Sequence, residues 1–241
     1  MSGDITELFL QKSDITFKGT DFRSNNYSFK LKKVKAYDRP TRDFTTYYHP
    51  LRFTIPQYNF NYATSLKNNT NMSIGIDHMK YVVKSGQTVS ITGDYENCEE
   101  FQKLNSGQKS TIKLDKNKFE LEHSDGLNYI NTQLYKETTF LEHNNFRLNP
   151  YIGVGVGLLT PVTRSKLFCN DIVDKLNLTA GFGTNMRFGT KLLYKKFFTN
   201  IEVRVGYINM PNIRTTKNKK LEKASQYFFF VEPIVKIGFN V

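Results

Sequence analysis

Three neighbouring side chains, His123, Ser124 and Asp125, are of the types that form a hydrolytic triad. Acyl hydrolysis needs a serine nucleophile, a histidine base and an acidic group that orients the base. Adjacent side chains of a β-strand point to opposite faces, however, so His123 and Ser124 would diverge if they shared a strand. Asp125 also precedes a glycine, and this dipeptide is typical of turns. We therefore interpret the segment as a loop or rim element and keep lipid hydrolysis as the alternative.

Metal and cofactor sites are not predicted. No pair of histidines has the spacing of metal ligands, the four being His49, His78, His123 and His143. The alternating glycines of residues 153–157 lie inside an apolar run, without the following helix and Lys-Ser/Thr of a phosphate loop. Cys98 and Cys169 both fall in predicted long loops on one side of the sheet, so a disulfide between them and two free thiols both remain open.

Six charged residues fall within predicted strands, on the face opposite the apolar one: Asp77, Arg187, Glu202, Arg204, Glu232 and Lys236. Charges taken out of water must pair or neutralise. Glu202, Arg204 and Glu232 would lie on the last two strands, which we expect to be hydrogen-bonded neighbours. We interpret the six as an ion-pair network that fills the interior of a narrow barrel, with a proton or ion path as the alternative.

The strands that must position these charges are clearest at the C-terminal end. Between residues 226 and 241, every second residue from Tyr227 onward is apolar or proline, whereas the intervening set carries Glu232 and Lys236. Such alternation places the two sets on opposite faces of a strand. Ordinary strands run about five or six residues. A longer one that is apolar outside is typical of an outer-membrane barrel.

The same alternation recurs in segments 53–66, 72–82, 127–135, 151–158, 176–188 and 201–207, which gives seven predicted spans. An even number is expected for a bacterial barrel. We therefore add residues 9–18 as the first strand, with residues 27–36 as a β segment in the first loop. The lipid-facing set predicted from these spans is Val154, Leu178, Phe182, Val203, Ile237 and Phe239.

Composition narrows the class of protein. Mean hydropathy is −0.49, and no window approaches the roughly 20 apolar residues of a spanning helix, so a helical membrane protein is excluded. The formal net charge is +12, with the basic residues spread over predicted loops. This distribution does not favour nucleic-acid binding. It fits loops that face phosphate-rich lipopolysaccharide. Residues 1–10 show neither the basic nor the apolar region of a secretory signal.

Four segments carry a resemblance to a known family: residues 13–19, 54–59, 77–82 (Asp-His-Met-Lys-Tyr-Val) and 123–129 (His-Ser-Asp-Gly-Leu-Asn-Tyr). In these segments the chain resembles a family of small, mostly uncharacterised bacterial outer-membrane β-barrel proteins. The resemblance implies an exported eight-stranded barrel and brings no established activity or catalytic residue. Similar proteins have a signal peptide and a full first strand before the first of these segments, so we expect a chain trimmed at its N-terminus with an incomplete first strand.

The sequence thus predicts one all-β domain over residues 1–241. It would be an up-and-down antiparallel transmembrane β-barrel of about eight strands with long extracellular loops, monomeric in a Gram-negative outer membrane. Its expected role is structural or in surface interaction, without catalysis or cofactor. The expected partners are outer-membrane lipids, lipopolysaccharide and a surface protein that meets the loops. The alternatives are an outer-membrane acyl hydrolase of lipid A or phospholipid, and a soluble β-barrel binder of a small apolar ligand, whose apolar faces would point inward.

Overall fold

The computed structural model describes residues 5–6, 8–20, 26–39, 59–97, 100–102, 110–167, 172–177, 179–215 and 222–240. The regular structure in these ranges is entirely β. Within the same ranges there is no helix of the length and apolar character needed to cross a membrane.

The described residues contain seventeen strand segments. In chain order these are β1 (Ile5–Thr6), β2 (Phe9–Leu10), β3 (Ser13–Thr20), β4 (Asn26–Val34), β5 (Ala36–Tyr37), β6 (Asn59–Ser65), β7 (Thr70–Val83), β8 (Thr88–Asn97), β9 (Glu100–Gln102), β10 (Ser110–Lys113), β11 (Phe119–Glu137), β12 (Leu141–His143), β13 (Phe146–Leu167), β14 (Val173–Leu176), β15 (Gly181–Tyr194), β16 (Phe197–Arg214) and β17 (Lys223–Phe239). This count does not match the predicted eight, because six segments (β4, β5, β8, β9, β10 and β12) lie outside the predicted spans and two predicted spans are interrupted. The predicted span 176–188, for example, is interrupted between β14 and β15.

All pairings between the described strands are antiparallel. Followed from strand to strand, they lead from β17 around the sheet and back to β17. β17 pairs with β16 along one edge and with β1, β2 and β3 in succession along the other. From β3 the pairings continue through β4 and its extension β5 to β7. They then pass through β11, β13 and β15 to β16. β6 lies against the first half of β7, and β8 joins β4 to β10.

Tight turns join several neighbouring strands, and their residues adopt the backbone conformation that such turns need. Asn68 and Asn69 have φ values of 60° and 58° between β6 and β7, and Lys195 has a φ of 54° between β15 and β16. Asparagine tolerates this left-handed region better than most residues. These turns fix the register between the two strands that each of them joins.

The buried side of the sheet, which we call the inner face, has two chemically different parts. Phe228 and Phe230 of β17 are buried in an apolar cluster. Its other members include Ile15 and Phe17 of β3, Leu31 of β4 and Ile91 of β8. Further along the same face, Glu232 and Lys236 are buried among other charged side chains. The inner face at one end of the molecule therefore resembles the core of a soluble protein.

Inner-face glycines accommodate the rings of their cross-strand partners. Gly206 is paired with Phe230, and a Cβ atom at Gly206 would overlap the ring. Gly189 is paired with Tyr151, and a Cβ atom there would lie 2.6 Å from the ring carbon Cζ. Gly238 and Phe198 form a third such pair. A ring lying over a glycine fills the space that a side chain would otherwise take.

We predict that Gly206→Val displaces the Phe230 ring and lowers the free energy of unfolding by about 1–3 kcal/mol, the usual cost of overpacking. Urea unfolding measures this loss. Adding Phe230→Leu to the same chain should restore part of it, because the smaller side chain leaves room for valine. A loss that the second substitution does not reduce would contradict the packing explanation.

Candidate functional site

The opposite side of the sheet, the outer face, carries a continuous apolar surface. Its large apolar side chains are exposed on every long strand. They include Ile74, Ile130, Leu134, Ile152, Val154, Val156, Leu158, Phe182, Met186, Phe188, Ile201, Val203, Val205, Tyr227, Phe229, Val231, Val235, Ile237 and Phe239. We call this surface the apolar belt. Soluble monomers rarely expose apolar patches larger than a few hundred Å².

One edge of the apolar belt is a row of residues that are cross-strand partners of one another. Ile76, Ile130, Leu158 and Phe182 lie in a single cross-strand row. The next row beyond it is polar and contains His78, Asn128 and Thr160. Asn128 connects this polar row, since its side-chain oxygen lies 2.7 Å from His78 Nδ1 and its amide donates to the Thr160 carbonyl at 3.1 Å. The outer face thus changes from apolar to polar within one row.

The other edge of the apolar belt is aromatic. Phe146, Tyr194, Phe197 and Phe239 lie in one cross-strand row next to the tight turn between β15 and β16, and all four are exposed. Aromatic rows of this kind are typical of the interface between hydrocarbon and water.

The inner face behind the apolar belt holds a cluster of charges centred on Arg204. The Arg204 guanidinium has no exposed surface and contacts three carboxylates from three strands. Its Nη1 donates to Asp77 Oδ2 of β7 and lies 3.4 Å from Glu232 Oε2 of β17, and its Nη2 lies 3.2 Å from Glu202 Oε1.

Glu202 is the second centre of the cluster, because it also contacts the other two cations. Arg187 Nη2 donates to Glu202 Oε2, and Lys236 Nζ lies 3.5 Å from Glu202 Oε1. The Tyr151 hydroxyl donates to the same carboxylate at 2.7 Å. Three carboxylates and three basic groups therefore share the site, and their formal charges cancel.

Neutral polar groups complete the cluster. Arg187 Nη1 donates to Gln133 Oε1 at 2.6 Å, Gln133 donates to Asn131 Oδ1 at 2.7 Å, and Asn131 donates to Asp77 Oδ2 at 2.7 Å. The Arg187 guanidinium also lies over the ring of Tyr135, 4.7 Å from its centre. Each of these contacts replaces water that the buried charges have lost.

The six charged residues singled out in the sequence therefore lie together, each at most 3% exposed. Of the predicted lipid-facing set, Val154, Phe182, Val203, Ile237 and Phe239 lie on the outer face and are 43–55% exposed. Leu178 lies outside the described residues. Ala180, which the alternation placed on the same face as Phe182, is buried instead, because the strand is broken just before Gly181.

The three residues of the hydrolytic hypothesis are only partly described. His123 is fully buried in the apolar end of the interior, and its ring nitrogens lie 3.0 Å from Thr163 Oγ1 and 3.3 Å from Gln226 Nε2. The side chains of Ser124 and Asp125 lie outside the described residues, as do Cys98 and Cys169. A general base must reach the proton that it abstracts. The described environment of His123 thus offers it no contact with a substrate.

Sequence reasoning missed the neutral members of the charge cluster and the polar row beside the apolar belt. Alternation along the predicted strands assigns Gln133, Asn131 and Tyr151 to the inner face. It does not show which side chains meet across the interior, because that depends on several strands together. His78, Asn128 and Thr160 are isolated polar residues within mixed segments, and only the register between three strands joins them into a row.

Comparisons with known proteins add little to this geometry. No protein-family model matches the chain, and no curated protein matches it. Among solved structures, the chain is similar to outer membrane protein AlkL, determined by solid-state NMR in DMPC lipid bilayers. The similarity covers 100% of this chain and 92% of that one, with 13% identity and a TM-score of 0.29. At this TM-score the likeness carries no weight for fold or function.

We predict that Arg204→Met lowers the free energy of unfolding by about 3–5 kcal/mol, because it leaves buried carboxylates without their counter-charge. The matched control is Arg164→Met. Arg164 also contacts two carboxylates, Glu120 at 3.0 Å and Asp174 at 3.2 Å, but its side chain is 36% exposed. A loss of no more than about 1 kcal/mol is expected there. Urea unfolding in lipid vesicles compares the two, and equal losses would show that burial of the cluster is irrelevant.

Proposed function

We propose that this protein is an outer-membrane β-barrel whose role is structural or in surface interaction, without catalysis. The observation that carries the proposal is the exposed apolar belt backed by buried, charge-balanced residues. In water this arrangement is unfavourable on both faces, since apolar surface is exposed and charges are desolvated. In a bilayer the outer face is buried in hydrocarbon. The soluble-binder alternative requires the reverse arrangement.

The ring of strand pairings, which returns to β17 through β3, β4, β5 and β7, supports a closed barrel, and we assign eight membrane-crossing runs to it. β1, β2 and β3 form one run along β17, and β6 forms a second run along β7. The long strands β7, β11, β13, β15, β16 and β17 supply the other six. The remaining segments extend the barrel beyond the apolar belt or lie in its connections. A sheet with an open edge is not tolerated in hydrocarbon, because its backbone groups would lack partners.

The filled interior argues for a barrel that does not conduct. The charge cluster occupies the inner face behind the apolar belt, and the apolar core occupies the end beyond it. An eight-stranded barrel is narrow enough for side chains to fill. The work of the protein would then fall to its outer surface, which contacts lipid, and to its long connections, which meet partners. No described contact favours the acyl-hydrolase alternative.

Cell fractionation combined with heat-modifiable gel mobility tests this proposal, because it reports export and barrel closure together. We expect the protein in the outer-membrane fraction, soluble only with detergent, with a compact unboiled band that shifts on boiling. A detergent-independent protein in the cytosol would overturn the proposal.

We further predict that Val203→Arg lowers the free energy of unfolding in vesicles by about 2–4 kcal/mol, the cost of a cation facing the middle of the bilayer. The matched control is Val162→Arg, on the outer face of β13 between Thr160 and Arg164, beyond the apolar belt. Its cost should not exceed about 1 kcal/mol. Equal effects at the two sites, measured by urea unfolding, would be inconsistent with hydrocarbon around Val203.

A further inference from the structure

Three exposed lysines lie together on the outer face just beyond the apolar belt. They are Lys18 of β3, Lys30 of β4 and Lys223 of β17. Each alternates along its strand with buried apolar residues such as Phe17, Phe29 and Ala224, so all three side chains point outward. We call these three residues the lysine patch.

The strand register brings the lysine patch into two adjacent rows. In the first row Lys223, Lys18 and Ser28 are direct cross-strand partners, and in the second row Ser225, Thr16 and Lys30 are. Three ammonium groups and three hydroxyl groups therefore share one small area of the outer face. Ammonium and hydroxyl donors are the groups that proteins use to bind phosphate.

The pairing of Lys18 with Lys223 is unfavourable on its own. Like charges directly opposite each other destabilise a sheet. Among the described residues, no member of the lysine patch forms an ion pair. Near the patch on this face, the described residues include two carboxylates: Asp14, which accepts a hydrogen bond from the Lys33 backbone N–H at 2.9 Å, and Asp94, which lies opposite Ser28. Elsewhere on the outer face, by contrast, Arg164 contacts two carboxylates.

The lysine patch begins within the headgroup layer of a bilayer, at the row of Ser225, and its row of Lys223 lies just beyond that layer. On β17, Ser225 and Lys223 lie two and four residues beyond Tyr227, the last exposed aromatic residue of the apolar belt on that strand. These steps correspond to about 7 and 13 Å along the strand, or ~5–10 Å along the membrane normal for a strand tilted by about 40°. The polar layer on each side of the hydrocarbon is roughly 5–7 Å thick.

We propose that the lysine patch binds the phosphate groups of a phosphorylated membrane lipid of the lipid A type, whose acyl chains pack on the apolar belt beside Tyr227 and Phe229. This inference rests on the proposed function, since it needs the belt to lie in hydrocarbon. Continuity of the patch with the belt is what selects a lipid over a free anion. One molecule placed there would contact apolar side chains with its chains and ammonium groups with its phosphates.

The test uses the full chain folded into phosphatidylcholine vesicles that contain increasing fractions of diphosphoryl lipid A. The readout is the temperature at which the compact, heat-modifiable band is lost. The test variant is Lys18→Gln with Lys223→Gln. The matched control is Lys113→Gln with Lys118→Gln, which removes the same charge from exposed positions around the connection between β10 and β11.

We expect lipid A to raise the transition temperature of the wild type and of the control in a saturable manner. The patch variant should need about 25-fold more lipid A for half of the rise, since each of the two lysines contributes roughly fivefold in affinity near an anionic surface. Without lipid A the patch variant should be at least as stable as the wild type, because the like-charge pair is gone.

Equal lipid A dependence of the two double variants would overturn the inference. So would an equal stabilisation by inorganic phosphate in vesicles that lack lipid A, because the occupant would then be a free anion. Flotation of the protein with the vesicles separates this failure from that of the proposed function. A protein that floats but ignores lipid A refutes the lysine patch alone, whereas one that does not float refutes both.

Discussion

Arg204 has no exposed surface, and its charge is balanced by one carboxylate of its own strand and by two that reach it from β7 and β17. Removing an ion from water costs several kcal/mol even after relaxation, so its partners must be held at short range and in fixed directions. This requirement constrains the positions of β7, β16 and β17 relative to one another. The glycine–aromatic pairs and the neutral amides around the cluster fill the space that this arrangement leaves.

The hydrophobic pattern reverses along single strands, and this reversal organises the molecule. At one end of β17 the outer face carries Lys223 and Ser225, and the inner face carries Ala224 and Phe228. Toward the other end the outer face is apolar, and the inner face carries Glu232 and Lys236. The first arrangement suits a strand surrounded by water, and the second suits a strand surrounded by hydrocarbon. Under the proposed function, the change of pattern corresponds to a change of solvent within one continuous strand.

The sequence predicts the strand positions and the faces well, because a period of two residues is a local property. Alternation alone separated Val203 from Arg204 and Ile237 from Lys236. It failed at Ala180, because nothing in the local pattern announces the break before β15. It also could not group His78 with Asn128 and Thr160, or Gln133 with Arg187. Those contacts depend on register and on the path across the interior, which are properties of several strands together.

The pair of Asp77 and Arg204 joins residues that are 127 positions apart in the chain. A contact between such distant residues can form only after most of the intervening strands have found their places, because closing so long a loop is entropically costly. Until then Arg204 lacks one of its three counter-charges, and in the proposed barrel this imbalance would oppose entry into hydrocarbon. Neutrality of the charge cluster thus arrives late in assembly, after most of the strands are in place.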